Sequence, residues 1–188
     1  MIVRAANLNE RLELSPVIAA IRDSKWAAAL ASPSEILFYL EPHLTTVRAR
    51  ISEAHKAGKL IFVHLDLAEG IGKDKEGVAF LADCGADGII STRAQIIRFA
   101  KELNLLTVQR FFALDSQGLD SILEMLKSSH PHYMEIMPGV IPKVLARFAT
   151  GSIPVIAGGL IEEKTEITAA LSAGAIAVST GSESLWYC

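Results

Sequence analysis

The sequence contains few cysteines and no long hydrophobic run. Its two cysteines, Cys84 and Cys188, stand in no CxxC or metal-type spacing. We therefore expect free thiols, because disulfide frameworks belong mainly to secreted chains. No apolar run approaches the ~20 residues that a membrane-spanning helix needs, and polar residues from Asn7 onward interrupt any leader-like stretch. The composition predicts a cytoplasmic protein.

The sequence also lacks a strong net charge and several familiar catalytic motifs. The formal charge is −3, which disfavours a broad nucleic-acid surface. There is no P-loop, HExxH, GxSxG or dinucleotide fingerprint. No acidic or cysteine partner stands at ligand spacing from His43, His55, His130 or His132, and we predict no metal site and no cofactor. With 188 residues, 51% of them hydrophobic, the chain suits one domain over residues 1–188, in which residues 1–15 carry no recognised motif.

Eight short apolar runs predict a parallel sheet. Most are continuous and not alternating, which is typical of strands covered on both faces. Helical patterns lie between them, for example at Leu119, Ile122 and Leu126. Eight such units predict a compact single-domain (β/α)8 TIM barrel of the α/β class, with an open doubly wound sheet as the alternative. The runs begin near Val17, Glu35, Leu60, Gly88, Leu105, Tyr133, Ile153 and Ala175.

Two glycine-marked strand ends near the C-terminus give the strongest local signal. They are Pro154–Gly159 and Ala175–Ser182. Glycine lets an anion approach the backbone, and the turns after strands seven and eight of TIM barrels often bind phosphate. Ordinary tight-turn chemistry is the alternative. The predicted phosphate-binding residues are Gly158, Gly159, Thr180, Gly181 and Ser182.

Further polar side chains are expected at the same end of the barrel. Alternation in the third strand directs Ile61 and Val63 towards the helices, and His64 and Asp66 towards the lumen. Uncompensated burial of such groups is costly, so they need mutual pairing or a polar ligand. A structural His–Asp pair and loop-holding salt bridges are the alternatives. The predicted ligand contacts are Arg22, His64, Asp66, Arg93, Gln109, Arg110 and Glu135.

An ordered set of short stretches resembles the glycerol uptake operon antiterminator regulatory protein family. Each stretch is weak alone, but their order along the chain from residue 16 is specific. They are Pro16–Arg22, Val63–Gly70, Gly88–Arg93, Val108–Arg110, Leu114–Asp115, Met134–Gly139, Ala157–Gly159 and Ala175–Thr180 with Leu185–Trp186.

The resemblance implies a TIM barrel and a cytoplasmic bacterial regulator that is not an enzyme. Members of this family respond to glycerol 3-phosphate and are thought to bind leader mRNA of glycerol-utilisation genes, preventing premature termination. The glycine turns would then hold the phosphate, and the other predicted contacts would meet or support the polyol end. A small phosphate-binding barrel enzyme (isomerase, aldolase or lyase) and a regulator acting through a protein partner remain alternatives.

Two segments are candidates for the regulatory step that the resemblance implies. The loop Glu69–Glu76 combines glycines with charges, which suits a mobile two-state element or an ordinary solvated turn. The RNA-contact surface is left unassigned. A basic helical segment with Arg48, Arg50, Lys56 and Lys59 is one candidate, and a solvated helix face is its alternative.

Overall fold

The protein forms a closed barrel of eight parallel strands in a computed structural model that describes residues 2–113 and 115–188. Each strand pairs with its sequence neighbours, and β8 pairs with β1 to close the ring. Leu114, part of one family-like stretch, lies outside the described residues. The strands are β1 (Val17–Ile21), β2 (Ile36–Tyr39), β3 (Leu60–His64), β4 (Gly88–Ser91), β5 (Leu106–Phe112), β6 (Tyr133–Met137), β7 (Val155–Gly158) and β8 (Ala177–Thr180).

A helix precedes β1, and a helix follows each of β1 to β7. These are α1 (Ile2–Leu14), α2 (Trp26–Ala31), α3 (Val47–Lys56), α4 (Lys75–Asp83), α5 (Ala94–Glu102), α6 (Ser116–Ser129), α7 (Pro142–Ala149) and α8 (Lys164–Ser172). Short 3-10 helices occupy Asp23–Lys25, Leu65–Leu67 and Glu183–Tyr187. Across the described residues, no helix is both long and apolar enough to cross a membrane.

The predicted TIM barrel is confirmed, and its closure rules out the open sheet. Every predicted strand start lies within two residues of the observed one. The eighth unit is shorter than expected, because β8 is followed by a single 3-10 helix. Trp186 of this helix is buried, and its Nε1 donates a hydrogen bond to the Thr180 carbonyl oxygen at 2.9 Å. Trp186 is therefore packed against the barrel, while Tyr187 and Cys188 are exposed.

Alternation along the strands divides the core into an inner and an outer cluster. Phe62 belongs to the cluster inside the barrel, while Ile61 and Val63 belong to the larger cluster between barrel and helices. The alternation predicted for the third strand is thus confirmed at Ile61 and Val63. It does not extend to Asp66, because β3 ends at His64 and a 3-10 helix follows. The inner cluster also contains Ile18, Phe38, Ile90, Leu106, Val108, Tyr133, Ile156 and Ala177.

Helix α1 joins the inner apolar cluster at the amino-terminal end of the strands. Leu8 and Leu12 are each 2% exposed and belong to that cluster. The Tyr133 hydroxyl, at the start of β6, donates a hydrogen bond to Asn9 Oδ1 at 2.8 Å. Because Leu12 lies four residues after Leu8 and three after Asn9, it neighbours both on one side of α1. The second half of α1 therefore packs against the barrel.

The contribution of α1 to stability can be tested with two leucines of the same helix. Leu12→Ala should lower the free energy of unfolding by about 2–4 kcal/mol, since it removes buried side-chain atoms and leaves a cavity. Leu14 is 83% exposed, so Leu14→Ala should change it by less than about 0.5 kcal/mol. Urea denaturation monitored by tryptophan fluorescence measures both. Equal effects of the two substitutions would contradict a packed α1.

Candidate ligand site at the barrel mouth

A cavity of about 620 Å³ opens at the carboxyl-terminal ends of the strands. It lies mainly over β1, β7 and β8 and reaches β5 and β6 through Arg110 and Glu135. Three cationic and two acidic side chains line it, a mixture that suits a small polar ligand with an anionic group. Its polar and glycine lining includes Arg22, Lys25, Arg110, Glu135, Gly159, Glu162, Ser179, Thr180, Gly181 and Ser182.

A buried ion pair forms the floor of this cavity. Arg110 and Glu135 are register partners on β5 and β6, and Arg110 Nε donates to Glu135 Oε2 at 2.6 Å. The Ser179 hydroxyl donates to the other carboxylate oxygen at 2.5 Å. Glu135 is fully buried and Arg110 is 7% exposed. Both carboxylate oxygens accept hydrogen bonds, and these bonds offset the free-energy cost of burying the charge.

Gly158 makes room for this ion pair. A Cβ atom at Gly158 would overlap the Glu135 carboxylate and lie 2.7 Å from the Ser179 hydroxyl. Gly158 itself does not line the cavity. Its role in the structure is therefore to let the Glu135 carboxylate approach β7, and the predicted phosphate contact at Gly158 remains a prediction.

His64 lies beneath the mouth, close enough to Arg110 and Glu135 to interact with both electrostatically. It is 3% exposed, and Nδ1 has no hydrogen-bond partner among the described residues. Burial lowers the pKa of His64 to about 4, and the positive charge of Arg110 adds to that shift. His64 is therefore a neutral imidazole near pH 7.

Asp66 is bound by the neighbouring strand end and does not line the cavity. It accepts hydrogen bonds from the Ser91 hydroxyl at 2.7 Å and from the backbone N–H and hydroxyl of Thr92 at 2.7 and 2.8 Å. Burial alone raises the pKa of Asp66, but the hydrogen bonds from Thr92 and Ser91 outweigh burial and lower it. Arg93, whose Nε lies 3.9 Å from Asp66 Oδ1, is half-exposed and also lies outside the cavity lining.

The turns after β7 and β8 supply the small-residue side of the cavity. Gly159 has a φ of +76°, which a residue with a side chain rarely adopts. Thr180 ends β8, where its hydroxyl donates to the Ile161 carbonyl oxygen at 2.7 Å and accepts from the Ser182 backbone N–H at 3.0 Å. These bonds fix the two turns against each other.

The N-terminus of α8 is already occupied by a carboxylate of its own helix. Glu166 accepts hydrogen bonds from the backbone N–H groups of Glu162 and Glu163, at 2.8 and 3.0 Å. This capping box satisfies donors that an anion could otherwise use. The amides of Glu162 and Glu163 are therefore not free to bind an anion.

Two cations stand beside the β8 turn, because β1 is the neighbour of β8. Lys25 Nζ donates to the Gly181 carbonyl oxygen at 2.6 Å and lies 4.0 Å from the Glu183 carboxylate. Arg22 follows β1 directly, and its Nε lies 2.7 Å from Glu41 Oε1. Both cations line the cavity while they are held by protein oxygens.

The structure brings together seven of the twelve residues predicted from the sequence. Gly158 and His64 lie behind this lining, and Asp66 and Arg93 lie beside it. The expectation that Gln109 faces the mouth is wrong, because β5 directs Leu106, Val108 and Arg110 inward. Gln109 Oε1 instead accepts from the Ser129 hydroxyl of α6 at 2.5 Å. The residues brought together are Arg22, Arg110, Glu135, Gly159, Thr180, Gly181 and Ser182.

Sequence reasoning missed Lys25 and Ser179. Ser179 shares the inward face of β8 with Ala177, so alternation was a usable signal. The sequence places Lys25 in the turn after β1. Many surface lysines lie in such turns, so this position alone does not indicate a contact with the cavity. Among the described residues, no group of three or more His, Cys, Asp and Glu side chains is arranged to hold a metal.

The basic segment considered for RNA contact is largely committed to the fold. Lys59 is 6% exposed and donates to the carbonyl oxygens of Ser32 and Ser34. Arg50 pairs with Asp23 and Glu53. Arg48 and Arg50 also lie against aromatic rings. Lys56 is exposed, so three of the four cations are engaged within the protein and the segment has less free positive charge than its sequence suggests.

Burial of neutral His64 generates a prediction about pH. Between pH 6.5 and about 4, the unfolded chain binds a proton at His64 that the folded protein does not bind. Stability from this group is therefore fully present above pH 6.5 and is lost as the pH falls towards 4. Relative to His64→Gln, the wild type should lose up to about 3 kcal/mol of unfolding free energy across this window. Urea denaturation at each pH measures it, and parallel stability curves for the two proteins would contradict the assignment.

Comparison with known proteins identifies relatives over nearly the whole chain. A glycerol uptake operon antiterminator regulatory protein from Listeria monocytogenes is 34% identical, with a TM-score of 0.86 over 90% of this chain and 94% of that one. An antiterminator-related protein from Thermotoga maritima is 30% identical, with a TM-score of 0.81 over 92% and 98%. An uncharacterized protein from Escherichia coli, YgcP, is 34% identical over 93% of both chains.

More distant structures share the fold alone. The deoxyribose phosphate aldolase from Aeropyrum pernix superposes with a TM-score of 0.68 at 14% identity.

A family model described as glycerol-3-phosphate responsive antiterminator matches residues 17–186, a range that includes every residue lining the mouth cavity. The chain therefore belongs to the glycerol-3-phosphate responsive antiterminator family, as its ordered sequence stretches predicted.

Proposed function

We propose that this protein is a cytoplasmic, glycerol-3-phosphate-responsive, RNA-binding transcription antiterminator that regulates glycerol uptake and utilisation genes. The observation that carries the proposal is the mouth cavity, which combines a small-residue turn, two adjacent cations and a buried ion pair. The family gives the regulatory role. The effector, the RNA target and the absence of a cofactor or catalytic step are the proposed parts.

The phosphoryl group would occupy the side of the cavity next to the β8 turn. Gly181 has space beside it, since an added Cβ would meet only the Ala20 carbonyl oxygen, at 3.5 Å. Gly159, Thr180 and Ser182 complete this wall. Lys25 supplies a positive charge beside the Gly181 carbonyl. Backbone donors in a small-residue turn and a nearby ammonium are the usual means of holding a phosphoryl group.

The glycerol part would then lie over the ion pair on the floor. A carboxylate such as Glu135 accepts hydrogen bonds from hydroxyl groups, and the guanidinium of Arg110 donates them. Both side chains line the cavity, so a diol end could be recognised without moving the barrel. Neutral His64 lies below and avoids adding a second buried cation beside Arg110. Asp66 and Arg93 remain proposed contacts at the rim, and Gln109 is no longer included because it faces α6.

Regulation requires that RNA bind the liganded and unliganded proteins with different affinity. The proposed partner is leader mRNA of glycerol-utilisation genes, and membership of an antiterminator family supports this proposal. Because the net charge is −3, the contact surface must be local, and α3 offers little free charge for it. A surface near the mouth would connect RNA contact most directly with ligand binding.

An enzyme remains the second candidate, because Lys25, Glu135 and Arg110 line one phosphate-compatible cavity. Isomerases, aldolases and lyases use such groups for acid–base or Schiff-base chemistry. In this structure Glu135 is held by two hydrogen bonds and Lys25 by the Gly181 carbonyl, which favours fixed recognition over proton transfer.

Calorimetric titration with glycerol 3-phosphate tests the phosphate site. Saturable binding is expected, with much weaker heat for glycerol or inorganic phosphate. Gly181→Asp should weaken the affinity roughly tenfold or more, because it places a negative charge beside the phosphoryl group. Gly181→Ala is the matched control, since the cavity accommodates its methyl group, and it should change the affinity less than about threefold.

Equal affinity of wild type and Gly181→Asp would place the phosphoryl group elsewhere. Heat that continues after saturation would indicate turnover, and it would favour the enzyme candidate over the regulator.

RNA binding should depend on the same ligand. Saturating glycerol 3-phosphate should raise the affinity for leader mRNA about 5- to 150-fold, the usual range of allosteric coupling. An electrophoretic mobility-shift titration with and without ligand measures this, with Gly181→Asp as the variant that should not respond. RNA affinity that is the same in both conditions would contradict a ligand-gated antiterminator.

A further inference from the structure

Arg22 stands between the proposed phosphoryl site and a competing carboxylate. Strand β1 lies between β8 and β2 in the barrel, so the residue that follows it has the β8 turn on one side and the end of β2 on the other. Arg22 lines the mouth cavity together with Gly181 and Ser182. Its Nε is nevertheless bound to Glu41, which lies two residues beyond β2.

The Glu41 carboxylate occupies a donor that a phosphoryl group would use. Both groups are oxyanions that bind a guanidinium through charge-assisted hydrogen bonds, and a phosphate dianion is the more highly charged. The Arg22 and Glu41 side chains are 57% and 45% exposed. An ion pair so exposed contributes little free energy. Exchange of one anion for the other is therefore energetically accessible.

We propose that Glu41 is an internal competitor for Arg22, and that the phosphoryl group of the ligand displaces it. The inference rests on the proposed function, because it takes the ligand's phosphoryl group to lie beside the β8 turn. Glu41 then has two effects. It lowers the affinity for the ligand, and it links the occupied site to the loop after β2.

Backbone hydrogen bonds join the loop after β2 to the loop after β3. Displacement of Glu41 would therefore affect both loops. The Glu69 backbone N–H donates to the Pro42 carbonyl oxygen at 2.8 Å, and the Leu44 N–H donates to the Glu69 carbonyl oxygen at 2.9 Å. Gly70, at a φ of +73°, lies against Leu44, since an added Cβ would be 3.0 Å from Leu44 Cβ. Segment 41–44 and the start of the loop Glu69–Glu76 thus form one bonded unit at the mouth face.

This geometry refines the sequence-based expectation for the loop Glu69–Glu76. The loop is not part of the cavity lining, so direct closure over the ligand is not its role in this proposal. Its connection to the ligand runs through Glu41 and the two backbone hydrogen bonds. The exposed Leu44 side chain, 42% accessible, lies on this unit, where a change in the ligand site would alter the protein surface.

The first test is the affinity of Glu41→Gln for glycerol 3-phosphate, measured by calorimetry at fixed ionic strength. Removing the competing charge should tighten binding about three- to fivefold, the factor that corresponds to an exposed ion pair. Glu102→Gln is the matched control, because Glu102 also forms an exposed ion pair, with Lys75 at 3.2 Å, away from the cavity. It should leave the affinity unchanged.

A thermodynamic cycle separates competition from general electrostatics. In an Arg22→Ala background, Glu41→Gln should no longer tighten binding, because Glu41 then has no cation to withhold. If Glu41→Gln tightens binding equally in both backgrounds, its charge acts at a distance and the proposal is wrong. Unchanged affinity of Glu41→Gln in the wild-type background would also overturn it.

Hydrogen exchange tests the link to the loops. In the wild type, glycerol 3-phosphate should change the protection of the Leu44 and Glu69 amides, and in Glu41→Gln the change should be much smaller. No ligand-dependent change at these amides in the wild type would overturn the proposed link. A wild type that fails to bind glycerol 3-phosphate at all would contradict the proposed function itself, which distinguishes that failure from failure of the Glu41 competition.

Discussion

The ion pair between Arg110 and Glu135 forms the boundary between the packed core of the barrel and the cavity at its mouth. Below it, the lumen is filled with apolar side chains from alternate strand positions, and α1 contributes Leu8 and Leu12 to the same cluster. Above it lies the mouth cavity. The pair needs adjacent positions on β5 and β6, the Ser179 hydroxyl, and the space that Gly158 leaves. Buried charges must be paired and hydrogen-bonded, so losing the strand positions, the hydroxyl or the space would destabilise the pair.

The mouth is close to electrostatic balance before any ligand binds. Arg22 is held by Glu41, Lys25 by the Gly181 carbonyl, and Arg110 by Glu135. A phosphorylated polyol would replace the weakest of these contacts and leave the buried ones intact. Such an arrangement suits a sensor, since binding can reorganise exposed loops without disturbing the barrel.

Much of the fold could be predicted from the sequence, because parallel strands buried on both faces appear as continuous apolar runs. The inward direction of Glu135 could be predicted as well, since Met134 and Ile136 are clearly outward-facing. Alternation failed at β5, where Thr107 and Gln109 are the polar residues yet face the helices. They find partners there in His132 and Ser129, while the lumen at that level is apolar.

Other parts of the site depend on contacts between distant segments and leave little trace in the sequence. Lys25 reaches the β8 turn only because the barrel closes, which places residues 25 and 181 side by side. The capping of α8 by Glu166 likewise removes donors that the glycine turn alone would suggest. The packing of α1 against the lumen joins Leu8 and Leu12 to the inner cluster and includes a hydrogen bond from the Tyr133 hydroxyl to Asn9. Contacts between residues far apart in the sequence form only in the closed fold, and local sequence patterns do not predict them.

The most direct test of this account is a crystal structure of the protein with glycerol 3-phosphate. The account predicts phosphoryl oxygens within hydrogen-bond distance of the β8 turn and of Lys25 or Arg22, with the glycerol hydroxyls over Arg110 and Glu135. Ligand density in another part of the molecule, such as the groove of about 580 Å³ between α6 and α7, would contradict it. So would a ligand in the mouth whose phosphoryl group points away from β8.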